Sequence, residues 1–144
     1  MVPATPDAGD KWTAAFAEAE RTGRRVWVRV SQRYCGPCFR LTRWLDDQQK
    51  LLEKDYVMLK IDDFHDLHGN EIAQRVTRGG EYGIPFHAIF DSSGKMLIDS
   101  AGPLGNVGFP SGIDGKKQLR KMLQSSRQNL TDAEIDQLVQ SISD

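Results

Sequence analysis

Cys35 and Cys38 are the only cysteines in the chain, and Gly36-Pro37 is all that separates them. A pair this close shuts no long loop, so it cannot act as a structural staple, and a chain of 144 residues can bury a sufficient core without one. The flanking residues constrain the fold further. Val26-Trp27-Val28-Arg29-Val30, just before the pair, is β-branched and aromatic and predicts a central strand. After it, Cys38, Leu41, Leu45 and Leu52, with Trp44 beside them, keep helical spacing to about Lys54. The cysteines therefore fall where a strand hands over to a helix. A sulfur at position 35 would lie near unpaired backbone N–H groups and the positive end of the helix dipole, which favours thiolate over thiol. Cys38, one turn on, would be shielded and within bonding reach, and Pro37 is tolerated in a first turn whose N–H groups lack partners anyway.

The rest of the chain alternates in the same way. Trp12, Phe16 and Ala19 predict a first helix, capped by Asp10 and stopped by Gly23. Tyr56 to Ile61 reads as a second strand, Gly69 to Val76 as a short helix with Ile72, Ala73 and Val76 inward, and His87 to Phe90 as a third strand. Asp91-Ser92-Ser93-Gly94 is a hairpin turn that returns Met96 to Ile98. Ala101 to Gly115, rich in glycine and proline, reads as a structural loop without phosphate-binding spacing, and a helix follows around Lys117 to Leu123. Thr131 and Glu134 form a capping box, with Leu130 and Ile135 as its staple, before the apolar stripe Ile135, Leu138, Val139 and Ile142. That stripe is expected to dock on the domain, although it could also face a partner. The expected organisation is a flexible N-terminus over 1–10, a domain over 11–125 and a helical extension over 126–144. The fold class is α/β, a mixed central sheet flanked by helices.

A net charge of −1 gives no drive toward nucleic acid, and no apolar run is long enough to span a membrane. Charge is nevertheless uneven: Arg21 to Arg43 holds seven arginines and no acid, and the cysteines lie inside this stretch. Such a cluster is more often a solvated basic face than a site; in its functional version Arg33 and Arg40, nearest the pair, lower the Cys35 pKa and make the couple more oxidising, whereas Gly36-Pro37 suggests a reductant, so the direction of exchange stays open. His65 and His68 fit no common zinc spacing with the cysteines, so no metal is assigned. Trp12, Trp27 and Trp44 read as core.

Cys35-Gly36-Pro37-Cys38 at a strand–helix junction, with Ile84-Pro85 just ahead of a later strand, resembles the thioredoxin superfamily over roughly Lys11 to Leu123. Ala-Glu-Arg-Thr-Gly-Arg-Arg before the strand and Asp-Ser-Ser-Gly-Lys in the hairpin are most similar to bacterial thioredoxin-like and disulfide-isomerase-like proteins, many of them exported. The resemblance implies a thioredoxin fold and a thiol–disulfide oxidoreductase in which Cys35 attacks and Cys38 resolves. It also implies that Pro85 is cis and packs on the disulfide, and that the Ile84 backbone pairs with the substrate chain. No cofactor beyond the Cys35–Cys38 disulfide is implied. The partners would be protein thiols and disulfides and a redox donor or acceptor protein, with the chain acting as a monomer. Met1 to Asp10 shows no signal peptide; a periplasmic or secreted mature domain is favoured over a cytoplasmic one. Tyr34 stands where thioredoxin has tryptophan, Arg29 where it buries a proton-shuttling aspartate, and Met58 where that acid has a lysine partner. Water, or a carboxylate such as Asp62, would have to assist. The alternative is a binding module or redox sensor on the same fold.

Overall fold

The structure, a computed structural model, describes residues 5–80 and 82–143. Helix α1 spans Ala8–Thr22 and begins earlier than its apolar periodicity suggests, because Asp7, not Asp10, is the cap: its Oδ1 accepts the Asp10 N–H at 3.1 Å. Gly23, at φ 70°, closes the helix in the left-handed conformation that costs glycine least. Of the segment expected to be flexible, residues 1–4 lie outside the described residues, whereas Asp7 to Asp10 form the cap and first turn.

Strand β1 (Arg25–Ser31) lies at the centre, parallel to β2 (Tyr56–Asp62) and antiparallel to β3 (Phe86–Phe90), which pairs with β4 (Met96–Asp99). The order β2-β1-β3-β4 is the mixed sheet expected. Strand alternation then sorts the core into two layers. Val26, Val28, Val30, Leu59, Ile61, Phe86 and Ala88 pack under α1 and under α4 (Gly69–Thr77). Trp27, Tyr56 and Ile89 face α2 (Gly36–Asp47), α5 (Gly112–Ser126) and α6 (Asp132–Gln140). Trp27 and Trp44 are core as expected, while Trp12 is half-buried against Phe16 and Phe90.

The helix after the cysteines stops at Asp47, and a separate turn, α3 (Gln49–Leu52), completes the stretch read as one helix. Helix α5 starts at Gly112, several residues before Lys117, and the loop ahead of it holds a two-residue hairpin, β5 (Ala101–Gly102) and β6 (Gly105–Asn106). The C-terminal stripe is spent inside the fold: Ile135, Leu138, Val139 and Ile142 are all buried. The capping box forms, and fully buried Asp55 accepts the backbone N–H groups of Gln128, Asn129 and Leu130, fixing the turn that swings α6 onto the domain. No helix among the described residues is long and apolar enough to cross a membrane.

Candidate active site

Strand β1 ends at Ser31, and the chain turns through Tyr34 at φ 63°, a conformation few side-chain-bearing residues adopt. This turn delivers Cys35 to the N-cap of α2, where its Sγ accepts the Cys38 N–H at 3.2 Å. The sulfur thus takes a donor that the start of any helix leaves without a backbone partner, the arrangement expected to favour thiolate. The two cysteines are joined as a disulfide, with Cys35 half-exposed and Cys38 only 4% exposed. Gly36 and Pro37 form the exposed first turn between them.

Most of the sequence-predicted residues divide between two depressions flanking this turn, while Gly36 and the buried Pro85 line neither. Arg33, Tyr34, Cys35 and Cys38 line one, together with Ser31 and Lys60. Pro37, Arg40 and Ile84 line the other, together with Asn106, Gly108 and Phe109. Helical spacing explains the split, since Pro37 and Arg40 lie one turn apart on one face of α2, while Cys38 and Leu41 point inward. Arg40 is therefore aimed at the proline side. Its guanidinium sits 4.2 Å from the Phe109 ring centroid and donates to the Ser143 carbonyl at 3.0 Å.

The Ile84–Pro85 peptide is cis. Asn106 holds this segment from behind: its Nδ2 donates to the Gly83 carbonyl at 2.8 Å and to the Pro85 carbonyl at 3.1 Å, while its Oδ1 accepts from Ser100 Oγ and the Gly108 N–H. Both carbonyls flanking Ile84 are taken, and the N–H and C=O of Ile84 itself have no partner among the described residues. Gly108, at φ 60°, lies against the proline; a Cβ there would meet Pro85 Cδ at 3.6 Å. Its carbonyl accepts from His87 Nε2 at 3.0 Å, and His87 Nδ1 accepts the Trp27 indole N–H at 3.1 Å. These two bonds require a neutral ring protonated on Nε2. Complete burial pushes the His87 pKa down to about 4. A third tie joins the two sides, because Asp63 accepts from Gln32, ahead of the motif, at 2.7 Å and from the Tyr82 hydroxyl, ahead of the proline, at 2.5 Å. The loop read as merely structural is thus the support of the cis-proline segment. Asn106, His87, Lys60 and Asp63 had no local signal, since each gains its role from residues far away in sequence.

Arg29 occupies the strand position expected to carry an acid and is 8% exposed. Its Nε is buried without a hydrogen-bond partner among the described residues, and desolvation pulls its pKa below the usual arginine range, with Asp46 offsetting part of that. Arg29 and Met58 line a recess with Asp46, apart from the two depressions around the cysteines. Asp62 does not line the depression that holds the cysteines; its Oδ1 caps its own loop, accepting the Phe64 and His65 N–H groups at 2.9 and 2.7 Å. His68 bonds Asp7 at 2.9 Å, and among the described residues no group of three His, Cys, Asp or Glu side chains could hold a metal.

A family model described as thioredoxin-like matches residues 7–92. Among solved structures, the chain is similar to a disulphide isomerase from Xylella fastidiosa Temecula1 at 19% identity and TM-score 0.61, covering 98% of this chain and 95% of that one. It is similar to thioredoxin O2 from Arabidopsis thaliana in the oxidized state at 16% identity and TM-score 0.53, over 84% of this chain and 90% of that one. A structure titled DsbH oxidoreductase aligns at 15% identity and TM-score 0.53, over 79% and 80% of the two chains. At such identities these likenesses show the fold. No curated protein matches the chain.

Proposed function

From the premise that this chain belongs to the thioredoxin-like family, we propose that it exchanges dithiol and disulfide with protein substrates, Cys35 attacking and Cys38 resolving. One observation carries this reading: the more accessible sulfur sits at a helix N-cap, accepts a backbone N–H and is already bonded to its buried neighbour. In the reducing direction the Cys35 thiolate attacks a client disulfide, so that a Cys35–client bond forms and one client sulfur leaves as thiolate. Cys38 then attacks the Cys35 sulfur, re-forming the internal disulfide and releasing the second client thiol. Two electrons pass from the protein dithiol to the client disulfide, whose sulfurs take up two protons; oxidation of a client runs the same steps backwards. The backbone of Ile84, which has no partner among the described residues, would pair with the client chain, and Pro85 would hold it against the sulfurs.

The charges around the motif support one direction over the other. Arg33 and Lys60 share a depression with the cysteines, Arg40 lies across the motif, and no acid lines either depression among the described residues. Cations stabilise the reduced, thiolate form, which makes the disulfide more oxidising. This favours an oxidase or isomerase role, and such a role suits a periplasmic or secreted domain better than a reducing cytosol. The residues over 126–144 would serve as a packed extension of one domain, and the protein would act as a monomer with a separate redox partner.

Insulin reduction and refolding of a scrambled disulfide protein test the reading. Cys35→Ser should abolish turnover in both, and Cys38→Ser should accumulate mixed disulfides with the client. Unchanged activity in Cys35→Ser overturns the proposal. A reduction potential in a glutathione series near that of disulfide isomerases supports the oxidative direction, and one near that of thioredoxin supports a reductase.

A further inference from the structure

The depression on the proline side encloses about 490 Å³ between the motif and the segment expected to bind the client chain. Pro37, Ile84, Val107 and Phe109 give it apolar walls, and Arg40 is the one charged side chain among the described residues that line it. Arg40 is held rather than loose. Its guanidinium lies over the Phe109 ring and donates to the Ser143 carbonyl, so much of the entropy of ordering a long side chain is already spent before a client arrives. The remaining N–H groups of a planar guanidinium suit a carboxylate. No carboxylate of the described residues forms an ion pair with it.

We infer that this depression is a specificity subsite, in which Arg40 selects clients carrying an acidic side chain beside the reacting cysteine. The inference rests on the exchange reaction proposed above and names the substrate class for that same site. A client segment paired with Ile84, with its cysteine at Cys35, has its neighbouring side chains beside Pro37 and Arg40. Arg40 is exposed at the edge of the depression, so a carboxylate there gains the modest attraction of a solvent-screened pair.

The test uses disulfide-linked homodimers of one short peptide with Glu, Gln or Lys on both sides of its cysteine, reduced by the full chain in its dithiol form. The expected order of second-order rate constants is Glu, then Gln, then Lys, with about fivefold between the extremes, the size of a partly exposed ion pair. The ratio should shrink as ionic strength rises. Arg40→Gln should level it, Arg40→Glu should invert it, and Arg40→Lys should keep its sign. Any change in Cys35 thiolate acts on all three peptides alike, and Arg33 and Lys60 stay beside the cysteines in every variant, so the change in the ratio on substituting Arg40 isolates the subsite. Equal rates for the three peptides in the unsubstituted protein, or an unchanged order in Arg40→Glu, overturn the inference while leaving the exchange reaction standing. If even the Gln peptide reacts no faster with the unsubstituted protein than with Cys35→Ser, the reaction itself is refuted, and the subsite falls with it.

Discussion

On the α2 side of the disulfide, what shapes Cys35 lies close by in sequence: the turn at Tyr34, the cap on the Cys38 N–H and the proline in the first turn. On the proline side, Ile84–Pro85 is held by groups from distant parts of the chain, namely Asn106, Gly108 and, through His87, the Trp27 indole. The first side is a helix start, which forms wherever a cap and a helical run meet. The second depends on β3, the β5–β6 hairpin and the start of α5 being assembled together; Gly115, for instance, packs so close that a Cβ would lie 2.6 Å from the Pro110 carbonyl carbon. On the proposed reading, chemistry falls on the locally determined side and client recognition on the globally determined one. Perturbing the second side should cost stability and recognition before it costs thiol reactivity.

Acid should separate the two sides most strongly. His87 is neutral in the fold, and burial holds its pKa at about 4, below the roughly 6.5 of a free imidazole. Above pH 6.5 both the folded and unfolded chains carry it neutral, and its contribution to stability is complete. As pH falls from 6.5 towards 4, the unfolded chain takes up a proton that the folded chain refuses, so stability drops by up to about 1.4 kcal/mol per pH unit, or about 3 kcal/mol in all. Urea denaturation followed against pH should show this loss. His87→Gln, which can still donate to the Gly108 carbonyl but does not titrate, should be less stable at neutral pH and show a flatter slope over the same window. A parallel slope in the variant would mean that another group carries the acid sensitivity.

Asn106 tests the recognition half of the comparison. Asn106→Leu keeps the volume but strips donors from the Gly83 and Pro85 carbonyls and an acceptor from Ser100 and Gly108, and a loss of about 2 kcal/mol is expected for half-buried groups left partly to water. Activity should fall several-fold more with a protein client than with oxidised glutathione, which is too small to need the Ile84 backbone. An equal fall in both would place Asn106 in general stability and not in recognition.

The legible parts of the molecule were those with a local code. The period of Val26 to Val30, the cysteine pair at a strand–helix junction, the hairpin at Asp91 to Gly94 and the Thr131/Glu134 capping box each state their structure within a few residues. Ile84-Pro85 was placed by resemblance, and the structure makes it cis. Asn106 was hidden because a polar residue among glycines reads as loop, and nothing nearby says that its partners are Gly83 and Pro85. Asp7 displaced Asp10 as cap because the apolar rhythm starts only at Trp12, and capping precedes rhythm. Asp62 reads in the sequence as a carboxylate that could assist the cysteines; what the structure shows of it is a turn held by its Oδ1.

Arg29 sharpens the comparison from the motif side, because it lies on the strand that feeds the cysteines yet makes none of the local bonds that shape them. A buried charge whose Nε has no partner among the described residues costs desolvation that Asp46 returns only in part. Arg29→Met, of similar length and without the charge, should therefore be neutral to stabilising by about 1 kcal/mol in urea denaturation. If the guanidinium charge also reaches the thiolate through the interior under α2, the same variant should shift the glutathione equilibrium towards the protein dithiol being a stronger reductant. A gain in stability with an unmoved potential would make Arg29 a tolerated burial beside the recess. A shift in potential would make it the group that sets the couple's poise where thioredoxin has its acid, and would place part of the tuning of Cys35 outside the motif.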